Sequence, residues 1–294
     1  MKKISFKGSA GNRLNASLWS AEGEASPRVV LLLHGGGQTR HAWDKTARGL
    51  AQRGWTAIAL DQRGHGDSEW VADGAYAFSD YAADAIAVGQ QIFERFGERS
   101  VAIGASLGGI ASLASFALAP EPVFSGLVLV DIIPRMDPKG VAHIQGFMRD
   151  KAAEGFASVD DAADAIAAYL PHRPRPRSLD GLAKNLRLNG DGRWRWHWDP
   201  KFLDGARPVE FGWDELEPKL ESAAKCLDVP LLLVRGGGSE LVTPEAAKAF
   251  LATVPDGSFA DIAEARHMVA GDKNDAFGGA VMQFLDARFP SLSR

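Results

Sequence analysis

Apolar residues occur along this chain in short continuous runs that are typical of buried strands. Runs rich in leucine and β-branched residues lie at 29–33, 55–60, 100–103, 127–131, 230–234 and 259–262. Strands without a regular polar face are expected in a parallel sheet that helices cover on both sides. Residues 4–7 and 14–19 alternate weakly and predict an opening hairpin.

Segments with helical spacing of apolar residues separate these predicted strands. One helix carries Trp43, Ala47 and Leu50 on one face, and others are predicted over 79–96 and 275–289. Strands that alternate with helices predict an α/β fold with a mostly parallel, doubly wound sheet.

The interval from 135 to 228 interrupts this alternation. It contains helix-like pieces at 140–154 and 160–170, and then a Pro/Arg stretch at 171–177 that is expected to be a solvated connector. The sheet pattern resumes afterwards. We therefore predict a core formed by residues 1–134 and 229–294, with an inserted helical lid at 135–228.

Composition limits the classes of partner. The chain has 294 residues, of which 46% are hydrophobic and 24% charged, with a net charge of −4 and a pI near 6.0. This charge gives no reason to expect nucleic acid or a membrane as partner. One cysteine, Cys226, allows neither an intrachain disulfide nor a cysteine metal cluster. We expect a cytoplasmic protein with no cofactor and no metal, and a homodimer remains open.

The segment Gly104–Ala105–Ser106–Leu107–Gly108 lies between a predicted strand and a small-residue helix. A serine on such a tight turn has its hydroxyl held clear of the sheet, and the small flanking glycines make the turn sterically feasible. The N–H groups at the start of the helix can stabilise an oxyanion. Ser106 is therefore a candidate nucleophile, with the backbone N–H of Leu107 as one oxyanion donor.

Several motifs, each at the end of a predicted strand, together resemble those of the α/β-hydrolase family. They are His34–Gly35–Gly36–Gly37, Asp61–Gln62–Arg63–Gly64–His65–Gly66–Asp67–Ser68, Gly104–Ala105–Ser106–Leu107–Gly108, Gly236–Gly237–Gly238–Ser239–Glu240–Leu241–Val242 and Ala265–Arg266–His267–Met268. The resemblance covers nearly the whole chain outside the insertion. It implies the α/β-hydrolase sheet, with the site at the carboxyl ends of the strands.

The resemblance also implies a catalytic triad in the order nucleophile, acid and histidine. Ser106 is the expected nucleophile and His267 the expected base. Glu240 occupies the family position of the acid, and Asp131 at the end of the preceding strand is the alternative. Either carboxylate could orient the imidazole and stabilise the imidazolium.

Further site residues follow from the same resemblance and from the lid. Gly36 is implied as the second oxyanion donor, and His34 is expected to order its loop. A phosphate-binding role for the triple glycine lacks a P-loop lysine. Gly37 is a predicted substrate contact. Trp194, Trp196 and Trp198 alternate along a strand-like segment, so they line a substrate pocket or anchor the lid.

These residues predict a serine hydrolase that cleaves a small-molecule ester, thioester or lactone through an acyl-enzyme. The same triad could serve a cofactor-free perhydrolase or a carbon–carbon bond hydrolase. A small-molecule receptor on the same fold is the alternative that is not an enzyme.

Overall fold

The fold is that of a computed structural model, which describes residues 1–21, 28–171, 175, 178–263, 265–267, 269 and 274–290. The strands in these residues are β1 (Lys2–Lys7), β2 (Arg13–Trp19), β3 (Arg28–Leu33), β4 (Trp55–Leu60), β5 (Val101–Ala105), β6 (Gly126–Val130), β7 (Leu186–Leu188), β8 (Trp194–Trp196), β9 (Leu231–Gly236) and β10 (Gly257–Ile262). The helices are α1 (Asp44–Gln52), α2 (Phe78–Phe96), α3 (Leu107–Leu118), α4 (Pro138–Arg149), α5 (Val159–Tyr169), α6 (Asp180–Ala183), α7 (Lys201–Asp204), α8 (Trp213–Lys225), α9 (Pro244–Leu251) and α10 (Asn274–Arg288).

Eight strands form one sheet in the order β1-β2-β4-β3-β5-β6-β9-β10. The β1–β2 and β2–β4 pairs are antiparallel, and all pairs from β4 to β10 are parallel. The predicted opening hairpin and the mostly parallel sheet are therefore confirmed. Because β3, β5, β6 and β9 are neighbours, the loops that follow them meet at one edge of the sheet.

Alternate residues of the central strands face opposite helical layers. Val30 and Leu32 pack with α1 and α10, whereas Leu31 and Leu33 pack with α2, α3 and α8. Both sets of side chains are fully buried. The unbroken apolar runs of the sequence therefore correspond to strands that are covered on both faces.

The insertion between β6 and β9 contains α4 to α8 and the β7–β8 hairpin. Helix α8 packs on α3, and its Leu216, Leu220 and Ala224 are buried members of the main core. Most of the 171–177 stretch lies outside the described residues. No helix in the described ranges is long and apolar enough to cross a membrane.

Candidate active site

Ser106 lies on a sharp turn between β5 and α3. Its φ of 46° and ψ of −113° are unusual for a residue with a side chain. A Cβ at Gly104 would come within 2.3 Å of the Gly108 carbonyl oxygen, and a Cβ at Gly108 within 2.4 Å of the Leu33 carbonyl oxygen. Both positions therefore require glycine, which explains the motif around this turn.

Two backbone N–H groups near Ser106 have no partner in the described part of the chain. Leu107 begins α3, where the first N–H groups of a helix have no intrahelical acceptor. The N–H of Gly36 is likewise unused, and a Cβ on neighbouring Gly35 would lie 3.5 Å from Ser106 Cβ. Gly36 and Leu107, the two predicted oxyanion donors, therefore lie on the two segments that flank the serine.

Asp131 follows β6 and contacts His267 directly. Its Oδ2 lies 2.9 Å from His267 Nδ1. A carboxylate can only accept, so Nδ1 carries the proton and Nε2 is left unprotonated in the neutral imidazole. The same carboxylate accepts from the Gly236 N–H at 3.0 Å and from the Ser239 hydroxyl at 2.7 Å. Asp131 is thus held by three donors while it is completely buried.

Glu240, the residue expected to be the acid, points elsewhere. One carboxylate oxygen lies 2.9 Å from Nδ1 of His143 on α4, and the other lies 3.4 Å from a guanidinium nitrogen of Arg266. Its side chain is 40% exposed. The backbone of Glu240 packs directly under α4, since a Cβ on Gly140 would meet the Glu240 carbonyl oxygen at 2.3 Å. The structure therefore brings Asp131, and not Glu240, to the imidazole.

Ser239 is a site residue that the sequence did not single out. Its hydroxyl donates to Asp131 and accepts from the N–H groups of Leu241 and Val242, at 3.1 and 3.0 Å. The hydroxyl thus joins the loop after β9 to the carboxylate that follows β6. Its position beside Glu240, in a loop already assigned to the site, was the available signal.

His65 holds the loop formed by Gly35, Gly36 and Gly37, here called the glycine loop, in place through hydrogen bonds. The Gly37 N–H donates to His65 Nε2 at 3.1 Å, and His65 Nδ1–H donates to the Arg63 carbonyl oxygen. His34 orders the same loop, as predicted, because its Nδ1–H donates to the Gly35 carbonyl oxygen while its Nε2 accepts from the Gln62 N–H.

Burial keeps both of these histidines neutral. It lowers the pKa of His65 to about 3, with a smaller contribution from the nearby His34 ring. Burial likewise lowers the pKa of His34 to about 4. Both rings therefore stay unprotonated at neutral pH and keep the acceptor nitrogen that the loop requires.

A cavity of about 580 Å³ opens over Ser106 and contains His267 in its wall. The Ser106 hydroxyl makes no hydrogen bond within the described residues. Hydrogen bonds between catalytic groups are often long in free enzymes and shorten when substrate binds. The cavity wall is mainly apolar, which suits an uncharged organic substrate.

The three lid tryptophans have different positions. Trp196 and Trp198 line the cavity. Trp194 does not line it, and instead its backbone pairs with that of Phe156 in the lid. Pocket lining thus fits Trp196 and Trp198, and Trp198 also packs with Tyr76 and Leu107 of the main domain, as lid anchoring requires. Trp194 fits neither interpretation, because its contacts lie within the lid. Gly37 also lines the cavity, although its N–H is committed to His65.

In the described ranges, no group of three or more histidine, cysteine or acidic side chains is arranged to hold a metal ion.

A mostly parallel sheet with a serine on the sharp turn after β5 defines the class of α/β-hydrolases. The sequence matches the family model described as serine aminopeptidase, S33, over residues 24–274, and the chain belongs to this α/β-hydrolase family. The fold class that the sequence predicted is thereby confirmed.

Known relatives agree with this assignment. The chain is 32% identical over 230 residues to the esterase Rv0045c of Mycobacterium tuberculosis, covering 76% of this chain and 70% of the relative. It is 28% identical to the esterase YbfF of Escherichia coli, covering 93% and 99%. An α/β-hydrolase structure from Novosphingobium aromaticivorans superposes with a TM-score of 0.76 at 26% identity, covering 97% and 98%.

Proposed function

We propose that Ser106, His267 and Asp131 form the catalytic triad of a serine esterase. The predicted class, a hydrolase acting on ester bonds, is confirmed by the family match and by the relatives that are named esterases. The observation that supports the triad is the buried hydrogen bond between Asp131 and His267, in the wall of the cavity that contains Ser106. Asp131 therefore replaces Glu240 as the proposed acid.

In the first half of the reaction, His267 Nε2 removes the proton of the Ser106 hydroxyl as its oxygen attacks the ester carbonyl carbon. The carbonyl oxygen becomes an oxyanion that accepts hydrogen bonds from the N–H groups of Gly36 and Leu107. His267 then protonates the departing alcohol, and the acyl group remains on Ser106.

In the second half, the same histidine removes a proton from water, which attacks the acyl-enzyme carbonyl. Collapse of the second tetrahedral intermediate releases the acid and returns the proton to Ser106. Asp131 keeps the proton on Nδ1 and stabilises the imidazolium ion in both halves. Its three donors fix the carboxylate without protonating it.

The substrate class is a small uncharged carboxylic ester, with thioesters and lactones as chemically equivalent candidates. A cavity of about 580 Å³ is of the size that encloses a drug-sized molecule. Gly37, Trp196 and Trp198 are the proposed contacts. Perhydrolysis, carbon–carbon bond cleavage and a receptor role are not favoured by the family and its esterase relatives. A cytoplasmic location remains a proposal, and a homodimer remains a possibility that the sequence leaves open.

We also propose that the lid over the site is smaller than the segment 135–228. Helix α8 contributes Leu216 and Leu220 to the main core, so it belongs to the helical layer on the sheet. The proposed lid therefore comprises residues 135–212. Residues Met148 and Phe202 of this segment lie against the Gly35–Gly37 loop.

The test combines turnover with active-site labelling. Wild-type protein is expected to hydrolyse p-nitrophenyl butyrate and to react with a fluorophosphonate probe at Ser106. Ser106→Ala should lose the label and several orders of magnitude of turnover. Wild-type hydrolysis by Ser106→Ala would contradict the proposal, and labelling without turnover would instead favour a receptor.

A further inference from the structure

The indole N–H of Trp198 is an unused hydrogen-bond donor in the cavity wall. Only 2% of this residue is exposed, yet within the described residues its nitrogen donates no hydrogen bond. Buried tryptophans usually find a partner for this group, as Trp213 does with Glu217 at 2.9 Å. The indole nitrogens of Trp43 and Trp196 are also unpaired, but protein encloses both of them completely. The indole nitrogen of Trp198 is not completely enclosed. Trp198 is one of the residues that line the cavity, and its unpaired N–H is not sealed off by the surrounding protein.

The glycine loop lies between this donor and Ser106. A Cβ on Gly35 would lie 3.5 Å from Ser106 Cβ, and a Cβ on Gly37 would lie 3.6 Å from Trp198 Nε1. Because these glycines are two residues apart, their Cα atoms are separated by at most about 7.6 Å. The serine and the indole nitrogen therefore flank one short loop, with the proposed oxyanion donor Gly36 between them.

The surroundings of the donor are apolar. Met148 Cε would lie 3.0 Å from a Cβ on Gly37, and Phe202 Cζ 3.3 Å from a Cβ on Gly36. Neither side chain can accept the indole proton well. A ligand that displaces water from this corner without offering an acceptor leaves the N–H unpaired, which is costly in a desolvated site.

We infer that Trp198 selects esters whose acyl group carries a hydrogen-bond acceptor oxygen about three bonds from the scissile carbonyl carbon. An ether, hydroxyl, keto or second ester oxygen has the required chemistry, because the indole N–H only donates. With the carbonyl oxygen on Gly36 and Leu107, an acyl chain that follows the glycine loop brings its third atom to the indole. This inference rests on the proposed function, since it takes Ser106 as the attacking group.

The test compares two esters of equal chain length, p-nitrophenyl 3-methoxypropanoate and p-nitrophenyl pentanoate. They differ by an ether oxygen in place of one methylene. The ratio of their kcat/KM values is measured in wild-type protein, in Trp198→Phe and in Trp194→Phe. Intrinsic reactivity of the two esters cancels when this ratio is compared between proteins. Trp194 is the matched control because it lies in the lid but does not line the cavity.

Trp198→Phe should lower the ether-to-alkyl ratio by roughly threefold to tenfold, the effect of one lost hydrogen bond, and Trp194→Phe should leave it unchanged. Incorporation of benzothienylalanine at position 198 keeps the ring size and removes only the N–H. It therefore tests the inference even if Trp198→Phe does not fold. An unchanged ratio in these position-198 variants would overturn the inference. Absence of turnover and of Ser106 labelling in wild-type protein would instead contradict the proposed function.

Discussion

His267 Nδ1 lies 2.9 Å from Oδ2 of Asp131, a carboxylate at the end of the strand next to the one that precedes Ser106. Asp131 has a φ of 53°, a left-handed conformation that aspartate tolerates better than most residues. Its backbone N–H donates to the Val234 carbonyl oxygen at 2.7 Å. The backbone turn is therefore fixed by the sheet, and it directs the carboxylate toward the histidine loop.

This contact predicts very different effects for the two candidate acids. Asp131→Asn should lower kcat by roughly 10³- to 10⁴-fold, because an amide in this position can stabilise the wrong imidazole tautomer. Glu240→Gln should change kcat by less than about threefold, since Glu240 contacts His143 and Arg266 at an exposed rim. Steady-state kinetics on p-nitrophenyl butyrate measures both, with thermal unfolding as the control for folding. A larger loss of kcat in Glu240→Gln than in Asp131→Asn would instead favour Glu240 as the acid.

The hydrogen bond from Gly37 to His65 predicts a positioning role for this histidine. His65→Phe keeps a ring among Tyr81, His197 and Phe202 but removes the acceptor of the Gly37 N–H. The loop that carries Gly36 then loses its hydrogen bond to residue 65. We expect kcat to fall roughly 10- to 100-fold with little change in KM. His65→Gln retains an acceptor oxygen and should recover part of kcat. A rise in KM alone would contradict this role.

The buried neutral state of His65 also predicts how stability depends on pH. Its pKa in the folded protein, about 3, lies below the ordinary value of 6.5, so the unfolded chain binds more protons between these values. The stabilisation is complete above pH 6.5 and is lost as the pH falls toward 3.

Each pH unit in this window should cost about 1.4 kcal/mol for this single group. Urea unfolding at several pH values gives the free energy of unfolding as a function of pH. This plot should be steeper for wild-type protein than for His65→Gln, by the amount that corresponds to about one bound proton. Equal slopes for the two proteins would show that His65 is not held neutral by the fold.

The close packing of the serine turn predicts a penalty for any side chain at Gly104. Its Cβ would meet the Gly108 carbonyl oxygen, a backbone atom that cannot move without shifting α3. We expect Gly104→Ala to lower the free energy of unfolding by about 2–4 kcal/mol.

The matched control is Gly146→Ala on α4, where a Cβ would meet nothing within 4 Å. This change should raise stability by about 0.5–1 kcal/mol, because alanine favours the helix. Urea denaturation of both variants checks the pair. Equal effects of the two substitutions would exclude the packing explanation.

The sheet could be predicted, and Ser106 could be proposed as the nucleophile, because the signals for both are local. The run 29–33 is apolar at every position, and Ser106 is flanked by glycines between a strand and a helix. The carboxylate that contacts His267 could not be predicted in this way. Asp131 and Glu240 both follow strands that end at the same edge, and only the tertiary packing decides which carboxylate meets the imidazole.

The structure shows what decides this choice. Gly140 of helix α4 lies directly against the backbone of Glu240. The Glu240 side chain extends along the lid, where it contacts His143. That approach depends on the path of the whole insertion, which has no short-range pattern. The same reason explains why the positions of Trp194 and Trp198 relative to the cavity could not be read from their alternation.

The placement of Asp131 also affects the order in which a catalyst can assemble. Ser106 and Asp131 follow β5 and β6, which are adjacent and are both synthesised within the first half of the polypeptide. His267, the proposed base, is synthesised much later, on the segment after β10. Under the proposed mechanism, a nascent or truncated chain that ends before residue 265 would present the Ser106 turn without the proposed base, and hydrolysis would begin only when the segment after β10 docks.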